Sequence, residues 1–195
     1  MSAWALVPVK TRAAAKSRLA AALDARARAA LVTAMLAHVL GELRRCPELD
    51  GIAVMTPGAE RLPDEVLRLK DSAADFNESL CSAFAALAAR GCSRVAVVAA
   101  DLPRLEAAEV SALLVAAEKT RIALAPDRHG TGTNALALAL PSRFRPRFGP
   151  GSLRRHLAEA AALGVGAATV QLPGLAFDVD EPEDLALLQR GAAPP

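Results

Sequence analysis

Two periodicities alternate along this chain. Short apolar runs at residues 4–9, 51–56, 94–100, 122–125, 134–140 and 167–172 are too brief for helices and read as buried strands. Between them the apolar positions take a helical spacing. After Asp24, a natural N-cap, Leu31, Met35, Leu36, Val39, Leu40 and Leu43 share one face, while Arg26, Arg28, Glu42 and Arg44 take the other. Further helices are predicted after Asn77, with Leu80, Phe84 and Leu87 on one side, over 106–118, over 152–163, and from about Pro182. The polar, weakly patterned stretch 57–77 reads as a mobile loop region. Strands alternating with helices predict βαβ units: a single-domain α/β protein, with a mostly parallel sheet and helices on both faces. Such sheets bind ligands beyond the carboxyl ends of their strands. The domain is expected over 1–190, with 191–195 as a frayed tail.

Composition narrows the chemistry. With 195 residues and 53% hydrophobic content the chain can bury a core, but aromatics are only 3%, so that core is aliphatic and small-residue. The 23 Lys plus Arg against 21 Asp plus Glu leave a net charge of +2. That is no electrostatic footprint for duplex DNA or an anionic membrane. With no Tyr and one Trp there is also no platform for stacking single-stranded bases. Neither nucleic acid nor membrane is an expected partner. Cys46, Cys81 and Cys92 form no C-x-x-C pair and read as small buried hydrophobes in a reducing cytosol. The apolar run at 3–9 is short, contains Pro8, and has its basic residues after it, unlike a signal peptide. No apolar stretch reaches the length of a membrane span, so a soluble, cytoplasmic protein is expected.

The candidate chemistry clusters at predicted strand ends. Asp101 follows the run R-V-A-V-V-A-A and precedes Leu102 and Pro103; it admits two readings, a helix cap or a ligand-site carboxylate. In F-D-V-D-E-P-E-D, residues 177–184, an extended backbone would turn Asp178 and Asp180 to the same face. The alternative is that Asp180 caps a helix with Pro182 in its first turn. An EF-hand calcium loop is excluded by Glu183 and Gln189 where Gly and Glu are needed. Magnesium fits better, since it takes one or two carboxylates and completes its shell with water and phosphate. Two phosphate grips are candidates. Lys10, Arg12, Lys16 and Arg18 leave the first strand together, as either a triphosphate grip or a solvated basic face. In F-G-P-G-S-L-R-R-H, residues 148–156, a glycine turn delivers Ser152 to a helix N-terminus beside Arg147, Arg154, Arg155 and His156. It is either an anion site or an ordinary capped helix. Residues 130–135 spell G-x-G-x-x-A but run into strand-like sequence, against a dinucleotide fingerprint. His38, His129 and His156 form no catalytic set.

Taken together, V-P-V-K with A-K-S-R-L-A, A-D-L-P, A-P-D-R-H-G-T-G-T-N-A-L, F-G-P-G-S with His156, and G-L-A-F-D-V-D-E-P-E-D-L resemble the 2-phospho-L-lactate guanylyltransferase family. The resemblance covers almost the whole chain in motif order. It implies a nucleotide-diphospho-sugar transferase-like (Rossmann-like) fold. It also implies a reaction in which GTP condenses with a small phosphorylated three-carbon acid to a guanosine-diphosphate conjugate plus pyrophosphate, in deazaflavin coenzyme biosynthesis. The acid is 2-phospho-L-lactate, phosphoenolpyruvate or 3-phosphoglycerate. The resemblance carries Mg2+ onto Asp101, Asp178 and Asp180, the acid onto Thr133, Asn134, Gly149 and Ser152, and the nucleotide onto Lys10 and Lys16; with the rest of the basic cluster, Arg12 and Arg18, and with Asn77, these are the expected nucleotide-binding residues. Lys16 and Asp101 are the expected catalytic residues. Where relatives often read G-L-N-A-A-L, this chain has Asp75, Phe76, Asn77, Glu78, Ser79 and Leu80. A homodimer, and hand-over of a labile product to the next enzyme, are further expectations. The rival readings are another nucleotidyltransferase of this fold, of molybdopterin or sugar-phosphate type, and a non-catalytic nucleotide-binding module.

Overall fold

A computed structural model describes residues 2–9, 16–58, 61–71 and 75–191. Its strands are β1 (Ser2–Pro8), β2 (Gly51–Thr56), β3 (Leu67–Lys70), β4 (Cys92–Val98), β5 (Ile122–Pro126), β6 (Thr133–Ala139) and β7 (Ala167–Thr169). The helices are α1 (Ala25–Arg45), α2 (Phe76–Ala88), α3 (Ala107–Thr120), α4 (Ser152–Ala162), α5 (Pro173–Ala176) and α6 (Pro182–Gln189), with a 3-10 turn at Ser17–Ala21. The strands form one seven-stranded sheet in the order β3-β2-β1-β4-β6-β5-β7. All pairings are parallel except those of β6, which runs antiparallel to both β4 and β5.

The central strands are covered on both faces, which is why they read as nearly unbroken apolar runs. On one face Val39, Leu40 and Leu43 of α1 and Val110, Leu113 and Leu114 of α3 pack on Ala5, Val7, Val54 and Ala96. On the other, Leu80, Phe84 and Leu87 of α2 and Ala160 of α4 pack on Leu6, Met55, Val95 and Val97. A third cluster of Leu19, Met35, Phe177, Val179 and Leu185 ties the 3-10 turn, α1 and α6 to the segment after α5. Asp24 caps α1 as expected, accepting the Ala27 amide at 2.7 Å. Among the described residues no helix is long and apolar enough to cross a membrane.

The expected strands are all present, with ends shifted by a few residues, and β3, α5 and the 3-10 turn were not foreseen. Strand β3 lies inside the stretch read as loop. Only Leu69 of it is buried while Arg68 and Lys70 face solvent, so an edge strand carries little apolar signal. Helix α5 has only four residues, too few for a helical period. Helix α2 begins one residue before Asn77, because Asp75 caps it by accepting the Asn77 and Glu78 amides at 2.9 and 3.1 Å. The strand order reverses between β1 and β4, the kind of switch point beyond whose carboxyl ends open α/β sheets bind ligands.

Candidate functional site

Both helix-cap alternatives for the acidic residues fail. Helix α3 starts at Ala107 with Glu106 as its cap, and α6 is capped by Glu181, leaving Asp101 and Asp180 free for other partners. Both carboxylates receive the Lys16 ammonium: its Nζ donates to Asp101 Oδ2, and to Asp180 Oδ1 at 2.6 Å. Lys16 leads into the 3-10 turn with φ 58° and ψ 38°, and its side chain is 7% exposed. Burial works against the ammonium's charge, but the charges and hydrogen bonds of Asp101 and Asp180 outweigh it and hold the pKa above the ordinary lysine value. Asp178 completes the acidic group. Phe177 and Val179 are fully buried, so Asp178 and Asp180 take the opposite face, as alternation along an extended segment requires. The Asp178 carboxyl is pushed up to about 6, by burial first and next by the charge of Asp101; Asp180 adds to this and the Asn134 hydrogen bond opposes it. Arg18 makes an exposed 3.4 Å ion pair with Glu181, worth little in water. Lys10 and Arg12 lie outside the described residues, as does most of the expected tail.

A second cluster has neutral donors. Ser152 is the first residue of α4, but the cap is Gly151; the serine hydroxyl instead lies 3.3 Å from Thr133 Oγ1. Thr133 Oγ1 also meets His156 Nδ1 at 3.0 Å, and His156 Nε2 accepts the Arg147 amide at 2.8 Å. The imidazole is fully buried, with Phe148 edge-on at 4.8 Å and Phe144 at 5.8 Å. Burial above all, reinforced by Arg155 and Arg147 against Glu159, pushes its pKa down to about 4. Gly149 has φ 117°, a conformation open to glycine alone, and a Cβ there would stand 3.0 Å from the Arg155 guanidinium. Asn77 grips this turn from α2: its side-chain amide donates to the Phe148 carbonyl at 3.3 Å and accepts the Phe148 amide at 2.7 Å.

One peptide joins the two clusters. Thr133 and Asn134 are successive residues at the start of β6. The first points to Ser152 and His156, the second donates to Asp178 Oδ1 at 3.2 Å and to the Ala176 carbonyl at 3.3 Å.

Several supporting residues escaped the sequence reading. Asp127 closes the β5–β6 turn by accepting the Thr131 and Gly132 amides, each at 2.9 Å; a side-chain turn of this kind was legible in D-R-H-G-T-G. Arg128 forms a buried ion pair with Asp184, whose Oδ2 accepts the Asp180 and Glu181 amides at 2.8 Å. Glu109 of α3 accepts the Gly174 amide at 2.7 Å. There a Cβ would fall 2.2 Å from both the Arg104 carbonyl and the Glu109 carboxylate, so only glycine admits the contact. No local pattern marks these long-range pairs.

The acidic group fits a hard cation. Two carboxylates share a single ammonium, and beside them Asp178 is held well above its ordinary pKa by burial first and then by the charge of Asp101, so the donor set calls for added positive charge. All the donors are oxygens, as magnesium prefers. Among the described residues no group of three or more acidic, imidazole or thiol side chains forms a ready-made metal cage; magnesium needs only one or two carboxylates when phosphates supply the rest.

Comparison with known proteins places this geometry in context. A family profile described as "Guanylyl transferase CofC like" matches residues 3–191. A phosphoenolpyruvate guanylyltransferase of Sphaerobacter thermophilus is 40% identical, covering 100% of this chain and 95% of that one. One from Conexibacter woesei is 38% identical over 97% of this chain and 88% of its own. Among solved structures, a protein of Desulfovibrio desulfuricans G20 provisionally named a nucleotide-diphospho-sugar transferase superposes with TM-score 0.79 at 18% identity, covering 98% of this chain and 88% of that one. A 4-diphosphocytidyl-2C-methyl-D-erythritol synthase does so with TM-score 0.66 at 15% identity, covering 97% and 98%. At these identities the two structures speak for the fold alone.

Proposed function

The chain belongs to the CofC-like guanylyl transferase family, and from that premise we propose that it transfers the guanylyl group of GTP to phosphoenolpyruvate, releasing pyrophosphate. Magnesium is the metal of this reading, and deazaflavin coenzyme assembly its setting. The observation that carries it is the pair of joined clusters on one sheet edge. The acidic group with its lysine suits a metal-bound triphosphate, and the Thr133–Ser152 cluster beside it suits the oxyanion of a small acid. The names of the full-length relatives support phosphoenolpyruvate over 2-phospho-L-lactate and 3-phosphoglycerate.

The chemistry asks little of the protein beyond placement and charge. A phosphate monoester with a second pKa of about 6 is largely ionised at neutral pH. Its oxygen attacks the α-phosphorus of GTP, the bond from that phosphorus to the β-phosphate oxygen breaks, and pyrophosphate leaves with the electron pair. No general base is required, consistent with the burial of His156 away from any basic role. The residues' task is in-line positioning. Thr133, Ser152 and the backbone at Gly149 hold the acid; Asn134 fixes Asp178; Lys16, drawn from Asp101 and Asp180 by the incoming phosphates, neutralises them. Asp101, Asp178 and Asp180 would hold magnesium, which supplies charge neutralisation of the phosphates when bound.

The test is pyrophosphate release from GTP and magnesium with each of the three acids offered separately, followed by ATP and CTP in place of GTP. Release with phosphoenolpyruvate and GTP is expected. Release with only another acid would overturn the acceptor, and silence with all three would overturn the transfer reaction.

A further inference from the structure

The buried imidazole of His156 has both ring nitrogens committed. Its Nε2 lies 2.8 Å from the Arg147 amide nitrogen, a group that can only donate, so Nε2 carries the lone pair. The ring proton then sits on Nδ1 and donates to Thr133 Oγ1, 3.0 Å away. We propose that His156 is a positioning residue for the acid substrate: its Nδ1–H, set by the Arg147 backbone, turns the Thr133–Ser152 hydroxyl pair into a hydrogen-bond donor aimed at an oxyanion. This rests on the acid-binding reading of Thr133 and Ser152 given above.

The two hydroxyls, 3.3 Å apart, own two hydrogens, and their mutual bond uses one. With His156 donating to Thr133, the second hydrogen has no internal acceptor and must point outward, whichever hydroxyl carries it. With the opposite tautomer, Thr133 would donate to Nδ1 and Ser152 to Thr133, leaving the pair only lone pairs to show. An anion would meet acceptors alone. A buried ring edge that touches no substrate thereby decides whether the pocket attracts or repels negative charge. The ring is kept in register by Phe148 edge-on at 4.8 Å. Thr133 itself retains 8% of its surface, at the front of the cluster.

The experiment compares His156→Phe and His156→Asn with the wild type, the asparagine because its side-chain amide can place an N–H near the Nδ1 position. The expected result is a KM for phosphoenolpyruvate raised roughly tenfold or more in His156→Phe, a KM for GTP within about twofold of wild type, and recovery of most of the loss in His156→Asn. Equal changes in both KM values, or no rescue, would overturn the proposal. Independently of activity, a long-range proton–nitrogen spectrum of the histidine-labelled wild type is expected to show the Nδ1–H tautomer; the Nε2–H form would overturn it even if neither variant folds. Thr133→Val separates the two readings. An unchanged KM for the acid there overturns acid binding at this cluster and the proposal with it. A raised KM there with an unchanged one in His156→Phe overturns the role of His156 alone.

Discussion

Lys16 is a non-glycine residue in the left-handed region, a conformation that costs roughly 1 kcal/mol or more. It is held there by what its ammonium meets: Asp101 and Asp180, two carboxylates brought close to a third. Replacing Asp101 or Asp178 with Asn keeps shape and removes charge. Each is expected to leave the unfolding midpoint near that of the wild type while reducing turnover by about 100-fold or more, the usual scale for losing a preorganised electrostatic contact; near-normal rates would remove the metal role. Lys16→Met tests the ammonium itself. In the wild type, magnesium must displace a cation already seated between the carboxylates, and in the variant it need not. Magnesium is therefore expected to raise the thermal midpoint of Lys16→Met by more than it raises that of the wild type. Equal increments would show that the ammonium does not stand in for the metal.

At the scale of elements, the aspartate-bearing segment 177–180 belongs to no regular structure and is held from several sides. From α6, Asp184 accepts its amides; from the β5–β6 turn, the Arg128 amide donates to the Ala176 carbonyl at 3.0 Å. From α3, Glu109 anchors Gly174, and the Arg104 guanidinium lies 4.2 Å over the Phe177 ring. The Arg128–Asp184 pair is nearly enclosed, with side chains 15% and 4% exposed. Removing one partner of such a pair strands a buried charge. Asp184→Ala is expected to cost about 3 kcal/mol in urea unfolding and to reduce turnover, since two amides that shape the segment lose their acceptor. Adding Arg128→Met is expected to restore much of the stability but not the turnover. Recovery of both would mean that the pair serves the fold alone.

At the scale of the whole molecule, the site sits where the sheet's winding reverses, between β1 and β4, with β6 alongside β4 bringing the second cluster to the same edge. Stability there carries a pH signature. His156 has a folded pKa of about 4 against an ordinary 6.5, so between those values the unfolded chain binds the proton and the folded one does not. The sign follows: stability from the unprotonated buried ring is full above about 6.5 and is lost as pH falls toward 4, by roughly 3 kcal/mol in all. The groups facing the ring are Thr133 of β6, Arg147 of the glycine turn, and Arg155 and Glu159 of α4. The difference in unfolding free energy between wild type and His156→Phe cancels other titrations. It is expected to shrink by about that amount from pH 6.5 to 4; a flat difference would show that the ring is protonated freely in the fold.

Much of this protein is written in local pattern. The strand 51–56 emerged as expected, Asp24 caps α1, and α4 begins at Ser152, because apolar period and capping chemistry act over a few residues. The placement of Asp101 at a strand end was also legible, since it follows the apolar run 94–100, and an extended 177–180 would turn Asp178 and Asp180 to one face. Even the reversal of β6 was implicit: the few residues between β5 and β6 cannot make the crossover that parallel strands require. What only the tertiary structure decided is pairing at long separation. Lys16 meets carboxylates 85 and 164 residues away, Arg128 meets Asp184 across 56, and Asn77 clasps Phe148 across 71. Those distances in sequence are closed by strand order, which hydrophobic periodicity does not encode. His156 stands between the two cases: the Arg147 amide at its Nε2 is nine residues away, whereas the Thr133 hydroxyl at its Nδ1 is 23 residues away on β6.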